Sequence, residues 1–323
     1  VEHIPAREVF TPEDFSEEHL QIKATTSRFI DEQVIPNIET LENKQDDLSR
    51  RLLEKASALG LCSILVPERY GGLELDLTSQ LIVTEQMGRY GSFSVTYGAH
   101  TGIGLLPLVF FGNQKQKQSY MSQLISGKWI AAYSLSESQA GSDALAVRTS
   151  AKLSSDNKHY VLNGEKMWIS NGGWADLYTI FAKVDNKKFT AFLVERAMKG
   201  VKPGMEEKKM GIKGSSTCQI FFENVKVPVE NLLGEVGKGH RIAFNVLNIG
   251  RFKLCNSVTG GAKNCFETGL KYANERIQFD KPIASFQLIQ EKLAWMLSEI
   301  TKGQLLALHV GKNKDNGTLR HQQ

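Results

Sequence analysis

The spacing of apolar residues changes twice along the chain, and this restricts the folds open to it. Apolar side chains recur at the helical period through residues 1–128, at the strand period of two through 129–228, and at the helical period again from about Lys238. This order predicts an α+β fold with an N-terminal helical domain, a middle antiparallel β domain and a C-terminal helical bundle. We place the domains at 1–128, 129–236 and 237–323.

Short sequence signals predict where individual elements begin, turn and cross. Thr11, followed by a proline and two acids, is typical of a helix start, and Asp76 is placed to cap a later helix. Leu177–Val184 has the composition of a strand, and Asn163–Gly164 between two apolar runs predicts a two-residue hairpin. Gly260 and the glycine after it fall inside a long helix and predict a close helix crossing.

The C-terminal part contains two long amphipathic helices. One of them carries an apolar stripe at spacings of three and four residues, which is typical of a bundle helix. Two such helices cannot bury their apolar faces alone, because a bundle normally needs four helices. We therefore expect the sequence, which stops at Gln323, to be a fragment with an incomplete C-terminal bundle.

Composition is that of a globular chain without a nucleic-acid partner. Hydrophobic residues make up 41% of the 323 residues, and 39 basic against 35 acidic residues give a net charge of +4. The longest apolar run, Leu105–Phe111, is too short to span a bilayer. The four cysteines form no CxxC pair and the seven histidines show no metal-binding spacing, so we expect no disulfide and no metal site. A reducing compartment follows, with the bacterial cytoplasm preferred and the mitochondrial matrix as the alternative.

Two predicted strand ends carry clusters of small polar residues. The first is Tyr133–Asp143, with four serine hydroxyls and a glycine that lets a ligand approach the backbone, and the second is Trp168–Gly173. Hydroxyl and backbone donors beside a flat aromatic ring suit a planar, electron-accepting heterocycle such as a flavin. The alternative is two serine-rich hairpin ends without a ligand.

Two further sets of residues have both a functional and a structural interpretation. Arg276 and Gln278 are suited to hold a phosphate or a ribose, with Phe279 covering a ring. The alternative, which the residues alone favour, is a helix C-terminus with a favourable cation and Phe279 in the core. Arg251 is either a surface charge or an anion contact. No Ser/His/Asp or Cys/His constellation supports nucleophilic hydrolysis.

Five segments resemble, in order, signatures of the acyl-CoA dehydrogenase family, and the similarity is greatest to its very-long-chain type. The match extends from about Phe15 to Leu308. It implies a C-terminal four-helix bundle and a cofactor between that bundle and the β domain. The segments are Tyr133–Asp143, Trp168–Gly172, Lys209–Thr217, Leu247–Phe252, and Arg276–Phe279 with the following Phe286–Gln287.

The resemblance implies FAD as the cofactor. Ser136 would contact the flavin with its hydroxyl, Trp168 would pack beside the isoalloxazine, and Ser170 would hydrogen-bond near N5. Other residues would reach the adenosine–pyrophosphate part of FAD in a neighbouring subunit, which implies a homodimer or a dimer of dimers. The implied cofactor-binding residues are Tyr133, Leu135, Ser136, Gly141, Ser142, Trp168, Ile169 and Ser170, together with Arg276, Gln278, Phe279, Phe286 and Gln287 for the neighbouring subunit.

The implied reaction is the α,β-dehydrogenation of fatty acyl-CoA to trans-2-enoyl-CoA in fatty acid β-oxidation, with electrons passed to an electron-transfer flavoprotein. Ser142, Asn248 and Arg251 would contact the acyl-CoA substrate. In the family a glutamate removes the α-proton while the β-hydrogen leaves as hydride. Most members carry that glutamate in a part that would lie beyond Gln323, and Gly250 stands where a minority carries it. We therefore expect no catalytic base within this sequence.

The resemblance and the small residues also give expectations for the role of Glu137, for the length of the acyl chain and for alternative functions. Glu137 belongs to the first signature and is not expected to be the base. Gly98, Ala99, Gly102 and Gly104 would leave a deep cavity and favour long acyl chains, whereas the alternative for these small residues is tight helix packing. An acyl-CoA oxidase and a non-catalytic assembly protein are the alternative functions on the same scaffold.

Overall fold

Helices, strands and helices follow one another in the predicted order, which confirms the α+β fold. The structure is a computed structural model and describes residues 9–319. The helices within that range are α1 (Glu17–Phe29), α2 (Ile38–Glu42), α3 (Leu48–Ala58), α4 (Leu77–Gly88), α5 (Gly91–Gly98), α6 (Leu106–Phe111), α7 (Gln114–Ile125), α8 (Gly239–Glu275) and α9 (Gln287–Asp315).

The strands form one large sheet and one small hairpin. The sheet has eight strands in the order β6-β7-β3-β2-β4-β5-β8, with β1 added beside β4, and the hairpin pairs β9 with β10. Most pairs are antiparallel, but β1 and β2 both run parallel to β4. The strands are β1 (Ala131–Ser134), β2 (Ser150–Leu153), β3 (His159–Ser170), β4 (Leu177–Val184), β5 (Lys188–Glu195), β6 (Val201–Glu206), β7 (Thr217–Pro228), β8 (Leu232–Leu233), β9 (Ile277–Gln278) and β10 (Lys281–Pro282).

The chain divides into two compact units, and each is described separately. The first contains residues up to Pro36, Leu75–Ser94 and residues from Phe252 onward, and the second contains Asn37–Glu74 and Val95–Arg251. The eight-stranded sheet lies wholly in the second unit. Each unit combines separate stretches of the chain, so this division does not test the domain boundaries predicted at 1–128, 129–236 and 237–323.

Both faces of the eight-stranded sheet are covered by buried apolar side chains. Phe181 belongs to a cluster that also contains Leu108 from α6, whereas its neighbour Ile180 belongs to a second cluster. Successive side chains of a strand point to opposite faces, so the two clusters lie on the two sides of the sheet. The predicted strand Leu177–Val184 is confirmed, and it is nearly continuous in buried residues, as expected for a central strand.

The predicted hairpin at Asn163–Gly164 is wrong. Strand β3 continues through both residues, and the chain reverses at 154–158 instead. Gly164 has φ +144°, and a Cβ atom there would lie 2.7 Å from the Thr149 hydroxyl. The pairing of β3 with β7 shifts register between Leu162 and Gly164, which indicates a β-bulge. Asparagine and glycine therefore provide a bulge here, not a turn.

The two helix starts in the N-terminal part have different outcomes. A helix starts behind Thr11 as predicted, but it is only the short 3-10 helix Pro12–Asp14. The expectation that the longer apolar helix starts there is wrong, because α1 begins at Glu17 behind the N-cap Ser16. Asp76 is the N-cap of α4 as predicted, since its carboxylate accepts a hydrogen bond of 2.7 Å from the Ser79 backbone N–H.

The predicted close helix crossing is present where α8 passes α4 in the first unit. A Cβ atom at Gly260 would overlap the carbonyl oxygen of Glu85, and one at Gly88 would overlap the carbonyl oxygen of Ser257. The two glycines therefore let the two backbones approach to a distance that a methyl group on either would prevent.

Replacing Gly260 with alanine should destabilise the first unit by about 1–3 kcal/mol, because backbone must move to admit the methyl group. Gly269→Ala is the matched control: Gly269 is exposed on the same helix and has no atom within 4 Å of the added Cβ. That variant should gain about 0.5–1 kcal/mol from helix propensity. Urea denaturation measures both, and equal effects of the two substitutions would contradict a steric crossing.

One stretch resembles a membrane span by length and composition. Among the described residues, the helical segment Gly91–Phe111 is the one candidate, and 78% of its most apolar window is buried inside the protein. The apolar run Leu105–Phe111 covers only the end of this segment. The rest contains polar residues, so a search for uninterrupted apolar runs does not find the whole segment.

Candidate functional site

The residues of the two predicted strand ends meet at one cavity of about 360 Å³ in the second unit. All eight site residues predicted between Tyr133 and Ser170 line it, and Arg251 from α8 lines it too. Asn248 does not line it, but its side-chain oxygen accepts a hydrogen bond of 2.9 Å from Arg251. The lining residues are Ile103, Tyr133, Leu135, Ser136, Gly141, Ser142, Ala144, Trp168, Ile169, Ser170, Phe244, Leu247 and Arg251.

Backbone hydrogen bonds hold the first strand end against the second. The Met167 N–H donates to the Ser136 carbonyl at 2.9 Å, directly before Trp168. Beyond Ser136 the chain turns tightly, and Glu137 and Ala140 exchange two backbone hydrogen bonds of 3.0 and 3.1 Å. This turn brings Gly141 back to the cavity.

An ion pair is buried behind these cavity walls. Lys166 Nζ lies 2.7 Å from Glu137 Oε1, and the two side chains are 0% and 2% exposed. Neither residue lines the cavity. Sequence reasoning missed Lys166, although a signal existed: it follows Tyr160 and Leu162 in the inward-facing register of β3, where a lysine needs a partner.

The two charges shift each other's ionisation. Burial lowers the pKa of Lys166 to about 8, against the opposing effect of Glu137. Burial raises the pKa of Glu137, but the Lys166 ammonium and hydrogen bonds from Arg148, Lys166 and Thr149 together bring it below its ordinary value of 4.5. Glu137 is therefore an ionised acceptor at neutral pH.

Trp168 combines an exposed ring with a strained backbone. Its φ is +61°, in the left-handed region, and its side chain is 58% exposed. A non-glycine residue in this conformation costs about 1–2 kcal/mol, and burial of the ring offsets little of that cost. The pairing of β3 with β7 shifts register between Lys166 and Ile169, which indicates a β-bulge that contains Trp168 and leaves its ring accessible to a ligand.

Three serine hydroxyls in the cavity are free to bind a ligand. Within the part of the chain that the structure describes, the hydroxyls of Ser136, Ser142 and Ser170 make no hydrogen bond. By contrast, the hydroxyl of Ser138 in the same segment donates to Glu165 at 2.9 Å. The cavity thus offers unpaired donors near an exposed aromatic ring, which is the combination that the sequence predicted.

A π-helix supplies Ile103, one of three cavity residues from helical segments that sequence reasoning missed; the other two are Phe244 and Leu247 from α8. Ala99–Gly104 is π-helical and carries Ile103 into the cavity wall. His100 fixes this segment to β1, since its Nδ1 accepts from the Ala131 N–H and its Nε2 bonds to the Leu124 carbonyl, both at 3.0 Å. π-Helical turns occur often at functional sites.

The small residues of this segment serve two different purposes. A Cβ atom at Gly104 would lie 2.8 Å from that of Ala131, so Gly104 permits tight packing. Gly98 is half-buried, yet a Cβ atom there would meet no atom within 4 Å. Open space therefore lies beside Gly98 but not beside Gly104.

Among the described residues 9–319, Arg251 is the one charged residue that lines the cavity. No carboxylate is present in the lining, within residues 9–319, and Gly250 beside Arg251 has no side chain to contribute one. The described cavity can hold and orient a ligand, but its own side chains include no general base.

The remaining predicted residues lie in the first unit, on the hairpin after α8 and at the start of α9. Phe279 and Asp280 form its turn with φ of +51° and +60°. Phe279 is 86% exposed, so its placement in the core is wrong. Its ring meets that of Phe286 edge-on at 6.1 Å. Arg276, Gln278 and Gln287 are exposed as well.

Comparison with known proteins identifies the family. Sequence models of acyl-CoA dehydrogenases match over 16–128 (N-terminal domain), 132–225 (middle domain) and 237–323 (C-terminal domain). An acyl-CoA dehydrogenase of Bacillus subtilis is 35% identical, and the match covers 94% of this chain and 80% of that protein. The chain belongs to the acyl-CoA dehydrogenase family.

Other members of the family are longer than this chain. A probable acyl-CoA dehydrogenase of Bacillus subtilis is 52% identical over 93% of the chain, and the human very long-chain specific mitochondrial enzyme is 39% identical over 90%. The chain spans about half the length of these two relatives. The crystal structure of an acyl-CoA dehydrogenase from Bacillus anthracis complexed with FAD superposes with a TM-score of 0.96 at 48% identity, covering 100% of this chain and 56% of that one.

Glu137→Gln should lower the free energy of unfolding by about 3–5 kcal/mol at pH 7, because it leaves a buried ammonium without its counter-charge. Stability that comes from the lowered pKa of Glu137 is present above pH 4.5 and is lost as the pH falls through the lowered value. The gap between wild type and variant should therefore narrow in acid.

Urea denaturation at neutral pH and below pH 4.5 tests this expectation. Glu223→Gln is the control, since Glu223 pairs with Lys202 at 3.0 Å but both side chains are exposed. Its effect should stay below about 1 kcal/mol. A constant gap for Glu137→Gln across the pH range would contradict the proposed ionised state.

Proposed function

We propose that the cavity holds the isoalloxazine of FAD and that the chain forms the flavin-binding part of an enzyme that converts acyl-CoA to trans-2-enoyl-CoA. The carrying observation is the exposed, strained Trp168 in a cavity with three unpaired serine hydroxyls. A flat ring and fixed donors are what a planar, electron-accepting heterocycle requires. The similar Bacillus anthracis structure, which is complexed with FAD, supports the choice of cofactor.

Each cavity residue takes a role consistent with its chemistry. The Ser136 hydroxyl would donate at the pyrimidine edge of the flavin, where reduction builds up negative charge, and the Ser170 hydroxyl would donate near N5. Trp168 would pack beside the ring. Gly141, without a side chain, leaves the backbone of the turn open to the cofactor.

The hairpin residues would bind the adenosine–pyrophosphate part of FAD in a second copy of the chain. Arg276 supplies a cation for phosphate, and Phe279, which meets Phe286 edge-on but is 86% exposed, supplies a ring surface that a ligand can cover. A homodimer, or a dimer of dimers, is then required for a complete cofactor site. Phe286 and Gln287 complete the proposed set.

Bound flavin would supply the two-electron acceptor for the β-hydrogen of the substrate. Ile103, Phe244 and Leu247 make part of the cavity wall apolar, and with a ligand bound they would keep water from that side of it. Arg251, oriented by Asn248, and Ser142 would contact the acyl-CoA. Electrons would pass on to an electron-transfer flavoprotein, and the reaction would belong to fatty acid β-oxidation. The proposed compartment is the bacterial cytoplasm by preference, with the mitochondrial matrix as the alternative.

Proton abstraction would need a group from outside the described cavity. No carboxylate from the described part of the chain lines the cavity, and Glu137 is occupied in its ion pair with Lys166. We therefore propose that the catalytic glutamate lies beyond Gln323, as in most of the family. Glu137 acts as a hydrogen-bond acceptor within the wall and not as the base.

FAD binding tests the proposed cofactor site. Titration of FAD into the apoprotein, followed by flavin fluorescence, should show saturable binding that Trp168→Asn weakens about tenfold, because ring stacking is lost. Asparagine tolerates a positive φ, so the apoprotein should be as stable as wild type or up to about 1 kcal/mol more stable. FAD binding that is unchanged in Trp168→Asn would contradict the placement of the flavin.

Turnover tests the assignment of the base. Residues 1–323, loaded with FAD and given palmitoyl-CoA and an artificial electron acceptor, should show no dehydrogenation, because no carboxylate from residues 9–319 lines the cavity. Robust turnover by this chain would contradict the placement of the base beyond Gln323, and would leave the flavin site itself unaffected.

Substrate length is proposed from the open space beside Gly98, and long acyl chains are favoured. In a longer form of the enzyme that includes the proposed catalytic glutamate, Gly98→Leu should lower kcat/KM for palmitoyl-CoA relative to octanoyl-CoA by about tenfold or more, because the leucine fills space that the longer chain would use. Gly269→Ala, on the exposed side of α8, should leave the ratio unchanged. An unchanged ratio in Gly98→Leu would remove the support for a long-chain cavity at this position.

A further inference from the structure

Glu137 collects hydrogen bonds from three directions although it does not line the cavity. Its Oε1 accepts from the Thr149 N–H at 3.0 Å, the Thr149 hydroxyl at 2.5 Å and Lys166 Nζ at 2.7 Å. Its Oε2 accepts from the Arg148 N–H at 2.5 Å and from Gln139 Nε2 at 2.7 Å. One buried carboxylate thus joins the signature turn, the 148–149 segment and strand β3.

Lys166 makes a second bond that connects the two cavity walls. Its Nζ donates to the Leu135 carbonyl at 3.1 Å as well as to Glu137. Leu135 and Ser136 belong to the first wall, and Trp168 stands two residues after Lys166 in the second wall. Together with the Met167 N–H bond to the Ser136 carbonyl, the walls are tied at three adjacent positions.

Stability alone is a poor explanation for such an arrangement. A buried ion pair repays its desolvation cost only with good geometry, and apolar residues of similar volume often stabilise a core equally well. An ammonium and a carboxylate, however, fix directions, because each hydrogen bond constrains the angle as well as the distance. Here the directions fixed are those of the Leu135 carbonyl and of the strand that carries Trp168.

We propose that Lys166 and Glu137 are positioning residues that set the spacing between the Leu135–Ser136 wall and the Trp168–Ser170 wall, and thereby the affinity of the cavity for flavin. This inference rests on the proposed flavin site. Neither residue touches the ligand; they act through the Leu135 carbonyl and through the backbone of β3. Loss of the Lys166 ammonium removes the tie at Leu135 and leaves four of the five donors on Glu137 in place.

Three variants of the full chain separate positioning from stability. Lys166→Met removes the ammonium, Glu137→Gln leaves the ammonium without a counter-charge, and the double variant removes both charges. FAD affinity is measured by titration and the flavin environment by its visible absorption bands, while urea denaturation of the apoprotein gives stability. Lys202→Met with Glu223→Gln, on the exposed pair, is the matched control.

The double variant distinguishes a positioning role of the ion pair from a purely structural one. It should recover stability relative to Glu137→Gln, because no charge is left unpaired, yet bind FAD about tenfold more weakly than wild type, with shifted flavin bands, because the tie at Leu135 is still absent. Lys166→Met should show the same loss of affinity, and the control should match wild type within twofold.

Results that contradict the positioning role differ from results that contradict the flavin site itself. If wild type binds FAD and the double variant binds it equally well with unchanged bands, the pair has a purely structural role and the inference is overturned. If wild type does not bind FAD at all, the proposed function fails instead. Should Glu137→Gln not fold, comparison of the double variant with wild type gives the same decision.

Discussion

A single buried carboxylate organises the region on which the proposed chemistry depends. Glu137 lies below the cavity, is ionised because Lys166 and backbone donors surround it, and bonds to three separate segments. Among residues 9–319, the Met167–Ser136 bond is the one backbone hydrogen bond that joins these two strand ends, and the Lys166 bond to the Leu135 carbonyl adds a side-chain connection beside it. Sheet pairing holds each strand end to its own neighbour, and the charge pair adds bonds between the two strand ends.

The sheet and helices fix the positions from which the walls extend. Strand β1 enters the sheet in parallel with β4, and His100 holds its first residue by a bond from the Ala131 N–H. The π-helical turn that carries His100 also presents Ile103 to the cavity. The π-helical turn thus has two roles: His100 attaches it to β1, and Ile103 forms part of the cavity wall. π-Helical turns are frequent at functional sites.

Much of the fold could be predicted because its signals are local. The strand Leu177–Val184 and the cap at Asp76 depend on residue type and short-range pattern, and both are confirmed. The Gly260 crossing was predictable because glycine is costly within a helix. The hairpin at Asn163–Gly164 was predicted wrongly, since a β-bulge and a tight turn use the same residues, and only pairing with β7 distinguishes them.

The candidate site was predictable where short motifs carry it and not where the fold brings distant residues together. The strand-end residues and Arg251 do share a cavity, but Ile103, Phe244 and Leu247 joined it through helix placement. Phe279 was expected in the core because aromatic residues usually are buried, and its exposure reflects a turn with two positive φ angles. Lys166 was overlooked because its partner is far from it in sequence.

A crystal structure of the chain grown with FAD tests the proposed flavin site most directly. The isoalloxazine should lie in the second unit's cavity, beside Trp168, with the Ser136 and Ser170 hydroxyls donating to it. A flavin bound elsewhere, or a ring in the cavity that contacts neither hydroxyl, would contradict it.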